Sequence, residues 1–278
     1  FQAEDGIRDS VASRGLGDVY KRQAPNITLA VVAALGADDE NMNSGSEDTV
    51  ASAILWCQDE FQADIISLSL GGEQQVQMET EGSSVSAVRR AVDSGIFVVA
   101  AAGNDGGSGD DGLVSVPGNV PRVITVGAST QEQTVWVNSS SGSQTLSDGT
   151  LRQSPHLKPE VIAPGENIIS TGSGDRWYSS SGTSDSTVFV TGALSLILEA
   201  YPSFKPTSDS NGDCIDLVKN SLKDTSLRYQ LTVEHDNRWG YGQLQAFDWF
   251  QDLAAPVSYT HLRAHETLRY LVCRLLLE

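Results

Sequence analysis

SSSGTSDSTVFVTGALSLILEAYP, Ser179 to Pro202, is a turn of small residues feeding a segment that is apolar on nearly every face. Val188, Val190, Ala193, Leu194, Leu196, Ile197 and Leu198 leave little polar surface, and a helix of that kind lies inside a large core. Ser184 then falls in or near the first turn. There, unpaired backbone N–H groups and the positive end of the helix dipole favour a developing negative charge. A hydroxyl so placed suits a nucleophile; it equally suits an N-cap, the usual work of Ser at a helix start.

The segments around it read as alternating strands and helices. Ile27–Leu35 (ITLAVVAAL), Asp64–Leu70 (DIISLSL), Ile96–Ala102 (IFVVAAA) and Val123–Val126 are short apolar runs without polar alternation, the pattern of strands buried on both faces. Between them, Ser46 caps a helix through Val50, Ile54, Leu55 and Phe61, and a second helix over 83–94, carrying Val85, Val88 and Val92, stops at Gly95. This order predicts a mainly parallel sheet with helices on both faces, a three-layer α/β/α architecture. Ligands of such sheets bind beyond the carboxyl ends of the strands, which singles out Ser69–Gly72 and Ala101–Asn104. The Ser-, Thr- and Gly-rich stretch 131–157 reads as surface loops and short strands.

Composition narrows the function. Lys and Arg number 18 against 36 Asp and Glu, a net charge of -18. Nucleic-acid backbones and anionic membranes are repelled by that balance. Neither long apolar run approaches the ~18 residues of a membrane span. Cys57, Cys214 and Cys273 make no disulfide framework, and no Cys/His set has metal-ligand spacing. Gly106–Asp111 and the trio Asp209, Asn211, Asp213 each imitate a calcium loop incompletely and read as solvated acidic loops, so a metal site is not expected and Ca2+ enters only as a structural ion. A final Gly is missing after Ser184 for the nucleophile elbow of α/β-hydrolases, and no Gly-rich phosphate loop with Lys exists.

Six segments, taken together and in order, resemble the subtilisin-like serine proteases, the subtilases. They are APNITLAVVAALG, DIISLSLGG, AVDSGIFVVAAAGNDG, LKPEVIAPGENIIST, SGTSDSTVFVTG and WGYGQLQAFDWF, spanning nearly all of Ala24–Leu253. The resemblance implies a serine endopeptidase acting on extended segments of peptides and proteins. Ser184 is then the nucleophile, and its own N–H together with the Asn104 side-chain amide receives the oxyanion. Ser69, Leu70 and Gly71 form the edge that pairs with substrate backbone. Ala101, Ala102 and Gly103 line the wall of the main specificity pocket, where small residues leave room for a sizeable apolar side chain. The family further implies an extracellular, secreted protein, a monomer with no required cofactor.

Departures from the family are specific. Its triad runs Asp, His, Ser along the chain, and only the Ser is matched here. His156 and His235 lie outside any matching context, and Asp93, in Asp93-Ser94-Gly95, ends a helix rather than a strand. After Ser184 come Asp185, Ser186, Thr187 and Val188 in place of the family's usual Met, Ala, Thr, Pro; Asp185 is expected to point away from the site. Phe1–Gln23 and Pro256–Glu278 both resemble translated sequencing-adaptor sequence. The expected organisation is therefore a non-native tail over 1–23, a partial catalytic domain over 24–255 and a second tail over 256–278. The missing triad members are expected upstream of the chain, which alone is expected to be inactive. A catalytically dead relative used for binding or structure is the alternative.

Overall fold

The computed structural model describes residues 24, 26–37, 43–72, 82–146, 148–171, 176–207, 211–230, 232–254 and 270–276. Its frame is a six-stranded parallel sheet. In chain order the strands are Ile27–Ala33 (β1), the short pair Gly36–Ala37 (β2) and Asn43–Ser44 (β3), Ile65–Leu68 (β4), Phe97–Ala101 (β5), Ile124–Ser129 (β6), Val161–Pro164 (β7), Ile168–Thr171 (β8), Trp177–Ser180 (β9) and Tyr270–Leu276 (β10). The large sheet runs β1-β10-β4-β5-β6-β7, all parallel, while β8 and β9 form a separate antiparallel hairpin.

Five helices surround it: Glu47–Asp59 (α1), Ser83–Asp93 (α2), Thr183–Ala200 (α3), Asp213–Thr225 (α4) and Ala246–Ala254 (α5). Ser46 caps α1 as its sequence predicts, its Oγ accepting from Thr49 N at 3.2 Å. Gly95, at φ +83°, closes the turn after α2, a backbone conformation that glycine adopts without steric cost. Every residue of β4, β5 and β6 is buried, which is why these strands could afford unbroken apolar sequence. β1 differs from the expectation of burial on both faces: most of its residues are half-buried, because it stands at the edge of the sheet.

α3 crosses beneath β4, β5, β6 and β7 and buries Val188, Val190, Leu194, Ile197 and Leu198. Burying each such side chain contributes roughly 1.5–3 kcal/mol. Three of its buried hydroxyls are satisfied within the helix, and Ser186 Oγ donates outside it to Ala163 O at 2.9 Å. Thr187, Thr191 and Ser195 each donate to the carbonyl four residues earlier at 2.8 Å, on Thr183, Thr187 and Thr191.

Within the stretch 256–278, Tyr270–Leu276 lies in the sheet as β10, in parallel register with β1 and with β4. Residues 1–23 lie outside the described residues.

Candidate active site

All parallel strands end at one edge, and α3 begins there. Ser69 follows β4; Ala102, Gly103 and Asn104 follow β5; Ser129 ends β6; Gly165 follows β7. A chain of backbone bonds ties these ends to the start of α3: Gly165 N donates to Ser129 O at 3.0 Å, and Gly182 N donates to Gly165 O at 2.7 Å. Gly165 has to be small, since a Cβ there would lie 2.6 Å from Ala128 Cβ and 2.8 Å from Gly182 O.

Gly182 takes the cap position of α3, and Ser184 is the second helical residue, half-buried. The cap reading of Ser184 is thereby removed. Its N–H has no intrahelical acceptor. Its Oγ donates to Ser69 O and its carbonyl accepts from Ser69 Oγ, both at 3.3 Å, so the end of β4 and the start of α3 are stapled face to face.

Asn104 is oriented by Thr183. Its Oδ1 accepts from Thr183 N at 2.9 Å and from Thr183 Oγ1 at 3.0 Å. A backbone N–H can only donate, so the amide oxygen is fixed on that side and Nδ2 occupies the other branch. Thr183 Oγ1 also accepts from Gly103 N at 3.2 Å. The point where a Cβ on Gly182 would sit lies 3.5 Å from Asn104 Nδ2 and 3.7 Å from Ser184 N. Asn104 Nδ2 and Ser184 N thus both border the space beside Gly182, with Asn104 Oδ1 also 3.7 Å from it, at the positive end of an eighteen-residue helix.

Asp185 does point away. It is buried and accepts from Ser180 Oγ on β9 at 2.8 Å. As an acid in the first turn it complements the dipole while its carboxylate stays off the space beside Gly182.

Neither described histidine reaches Ser184. His156 Nε2 lies 3.5 Å from Asp216 Oδ1, and the His235 ring bonds Pro159 O at 2.9 Å. Both belong to the opposite edge of the sheet, around a buried charge cluster at the amino ends of β6 and β7. There Glu160 accepts from Thr125 N (2.7 Å), Lys158 Nζ (2.9 Å) and Lys219 Nζ (2.5 Å). Burial pushes Glu160 up, but the two ammonium groups pull it down further, leaving it below the ordinary carboxylate range. Burial holds Lys158 well below the usual lysine value against the pull of Glu160. Burial and Lys219 push His156 down to about 4, against the opposing pull of Glu160 and Asp216. Asp93 ends α2 and approaches Arg122 at 3.5 Å, consistent with a helix-end residue.

The other expected site residues sort as follows. Ser69 and Leu70 are buried, and Gly71 is exposed beside them. Ala101 and Ala102 are buried behind the site, and Gly103, at φ +115°, turns the chain into Asn104. A cavity of about 220 Å³ opens next to Asn104, lined among others by Gly71, Gly72, Asp105, Asp111 and Ser115. Thr183, Gly165 and Gly182 were not singled out from sequence, although Gly182-Thr183 immediately precedes Ser184. Among the described residues no group of three or more His, Cys, Asp or Glu side chains could hold a metal ion. Asp110, within one of the calcium-like loops, accepts instead from Gly112 N and Ser141. Asp209 lies outside the described residues. Cys57 is disulfide-bonded and Cys214 is free. Among the described residues no helix is long and apolar enough to cross a membrane.

The chain is similar in sequence to known proteins. The chain is 33% identical to subtilisin DY of Bacillus licheniformis over 68% of its length, covering 60% of that protein. It is 30% identical to the serine protease AprX of Bacillus subtilis over 85% of its length and 54% of AprX. With subtilisin E of Bacillus subtilis it shares 35% identity over 65% of its length and 41% of that protein. The chain thus spans roughly half the length of the relatives it matches. The structure titled prenylagaramide maturation protease PagA superposes with a TM-score of 0.60 at 19% identity, over 86% of this chain and 98% of that one, a likeness of fold. The subtilase family profile, Peptidase_S8, matches residues 10–242, and with that match the chain belongs to the subtilase family.

Proposed function

We propose that this chain is the body of a serine endopeptidase that hydrolyses peptide bonds in extended protein segments, with Ser184 as nucleophile. One observation carries the reading: Asn104, its amide oxygen held by Thr183, places Nδ2 beside Ser184 N on the space bordering Gly182. Attack on an amide develops negative charge on the carbonyl oxygen, and rigid donors aimed at that oxygen stabilise it. Removing one such donor costs roughly a hundredfold or more in turnover, the size measured for this donor in a subtilisin.

The segment Ser69–Gly71 would align the substrate, its backbone pairing as an added strand. Ser69 O now holds the Ser184 hydroxyl. A substrate N–H competing for that carbonyl would release the hydroxyl toward the scissile carbon. What the described residues do not bring to Ser184 is a base, so the hydroxyl keeps its proton. With these described residues alone the site would retain oxyanion stabilisation and binding, a residual ~10³ to 10⁴ over water. The second reading is a subtilase-like domain that binds peptides without cleaving them. This chemistry calls for no cofactor, and Ca2+ would be structural. An extracellular monomer is consistent with the acidity, which also disfavours nucleic-acid partners.

The test is a fluorophosphonate probe on the protein expressed with whatever its gene encodes on either side of this chain. Ser184 should be labelled, Ser184→Ala should not, and Asn104→Ala should be labelled at least about a hundredfold more slowly. Equal labelling of Ser184 and Ser184→Ala refutes the assignment. Failure of every form to label, with peptide binding intact, selects the binding domain.

A further inference from the structure

The cavity beside Asn104 lies between the residues that follow β4 and the loop 105–115, adjoining the proposed donors. Its floor is set by Ser115. A Cβ on Gly71 would come within 2.5 Å of Ser115 Cβ, and one on Gly103 within 2.5 Å of Ser115 Oγ, so both glycines are needed for Ser115 to hold its place. Ala101 and Ala102, from which room for an apolar side chain was expected, are buried behind this wall.

Two carboxylates line the cavity, and the loop fixes both. Asp111 Oδ1 accepts from Leu113 N at 2.9 Å, and Asp105 accepts from Ser140 Oγ, which also receives Asp105 N at 3.3 Å. The intervening Asp110 is turned into the protein, bonded to Ser141 and Gly112 N. No Lys or Arg lines the cavity, and none among the described residues pairs with Asp105 or Asp111. Leu113 adds an apolar surface along which an alkyl stem can lie.

We infer that Asp105 and Asp111 are specificity-determining residues, and that the cavity takes a lysine or arginine side chain of the peptide. The inference rests on the reading of Ser184 and Asn104 as the point where the peptide carbonyl is held. Two exposed carboxylates at a concave mouth favour a cation over a neutral side chain by about tenfold, and they disfavour an acidic one. A long stem carrying its charge at the tip matches a site whose apolar wall leads to its acids.

The experiment uses the intact chain and dye-labelled peptides that differ only in their last residue, Arg, Lys, Phe or Glu, and end in a free carboxylate to occupy the donor pair. Affinities are read by fluorescence anisotropy at low salt and at 0.5 M NaCl. Arg- and Lys-ending peptides should bind about tenfold more tightly than the Phe-ending one, with Glu weakest and the spread narrowing in salt. In Asp105→Asn/Asp111→Asn the basic-over-Phe ratio should fall toward one. In Asp148→Asn/Asp224→Asn, which removes the same charge elsewhere, it should persist. A Phe-ending peptide bound as tightly as the Arg-ending one, or a ratio insensitive to Asp105 and Asp111, overturns this inference and leaves the cleft reading standing. Absence of binding by all four peptides overturns the cleft reading itself.

Discussion

Glu160→Gln removes the single negative charge from the buried cluster while keeping its shape. Lys158 Nζ would retain Val123 O (2.7 Å) and Thr125 Oγ1 (3.0 Å), and Lys219 Nζ would retain Pro121 O and Val123 O (2.9 Å). Neither would retain a carboxylate in contact, although Asp216 still acts on Lys219 at longer range. Each ammonium then stays charged and uncompensated or releases its proton. For a lysine, being neutral at pH 7 costs about 5 kcal/mol relative to the unfolded chain, which caps the penalty per site. Broken buried pairs cost about 3–5 kcal/mol. With a urea m-value of roughly 2–3 kcal/mol/M, the unfolding midpoint should fall by about 1–2 M. Glu160 lies below its usual value of 4.5, so its contribution is complete above that pH and disappears as pH falls through the lower folded value. The gap between wild type and variant should close in the same acid range. Because two lysines share one carboxylate, Lys219→Met should cost less than Glu160→Gln. Urea titrations followed by tryptophan fluorescence at several pH values measure all of this. A midpoint shift below about 0.3 M, or a larger loss in Lys219→Met, would refute the charge accounting.

Two further outcomes follow from other parts of the fold. Gly182 has extended backbone at φ 171°, and a Cβ there makes only ordinary contacts at 3.5 and 3.7 Å. Gly182→Ala should therefore fold with stability within about 0.5 kcal/mol of wild type but weaken binding of the Arg-ending peptide at least about tenfold; unchanged affinity would place the oxyanion elsewhere. His156 is depressed from 6.5 to about 4 by burial and Lys219, so its contribution is complete above pH 6.5 and is lost as pH falls toward 4. His156→Gln should flatten the drop in urea midpoint between pH 7 and pH 5, and parallel drops in both proteins would show that His156 is not its source.

Much of this was legible in the sequence for one physical reason: strands buried on both faces need no polar alternation. ISL in β4, FVVAA in β5 and the apolar run of α3 declare their burial in composition alone, and a parallel sheet then fixes which loops share an edge. Ser184, Asn104 and Ser69 could be named because they follow such strands or open such a helix. The orientation of Asn104 could not, since it depends on Thr183, 79 residues away in sequence. The cavity was legible only in outline. Ala101 and Ala102 are small and near the site, but whether they face it depends on how loop 105–115 folds back over β5, and that loop carries no periodicity.

The stretch 256–278, which resembles adaptor translation, contains a segment whose own pattern does not decide its conformation. YLVCRLL has enough apolar residues for a strand or a helix, and a run that short is not resolved by its own periodicity. Its place is set by its neighbours: β1 and β4 present facing rows of N–H and C=O groups, and a parallel strand between them satisfies both. No property of residues 270–276 read in isolation could supply that reason. The consequence reaches the site, because β4 is held on one flank by β5 and on the other by β10, and the turn that follows β4 carries Ser69 and Gly71. The position of the segment that staples Ser184 is therefore linked, through one strand, to residues 270–276.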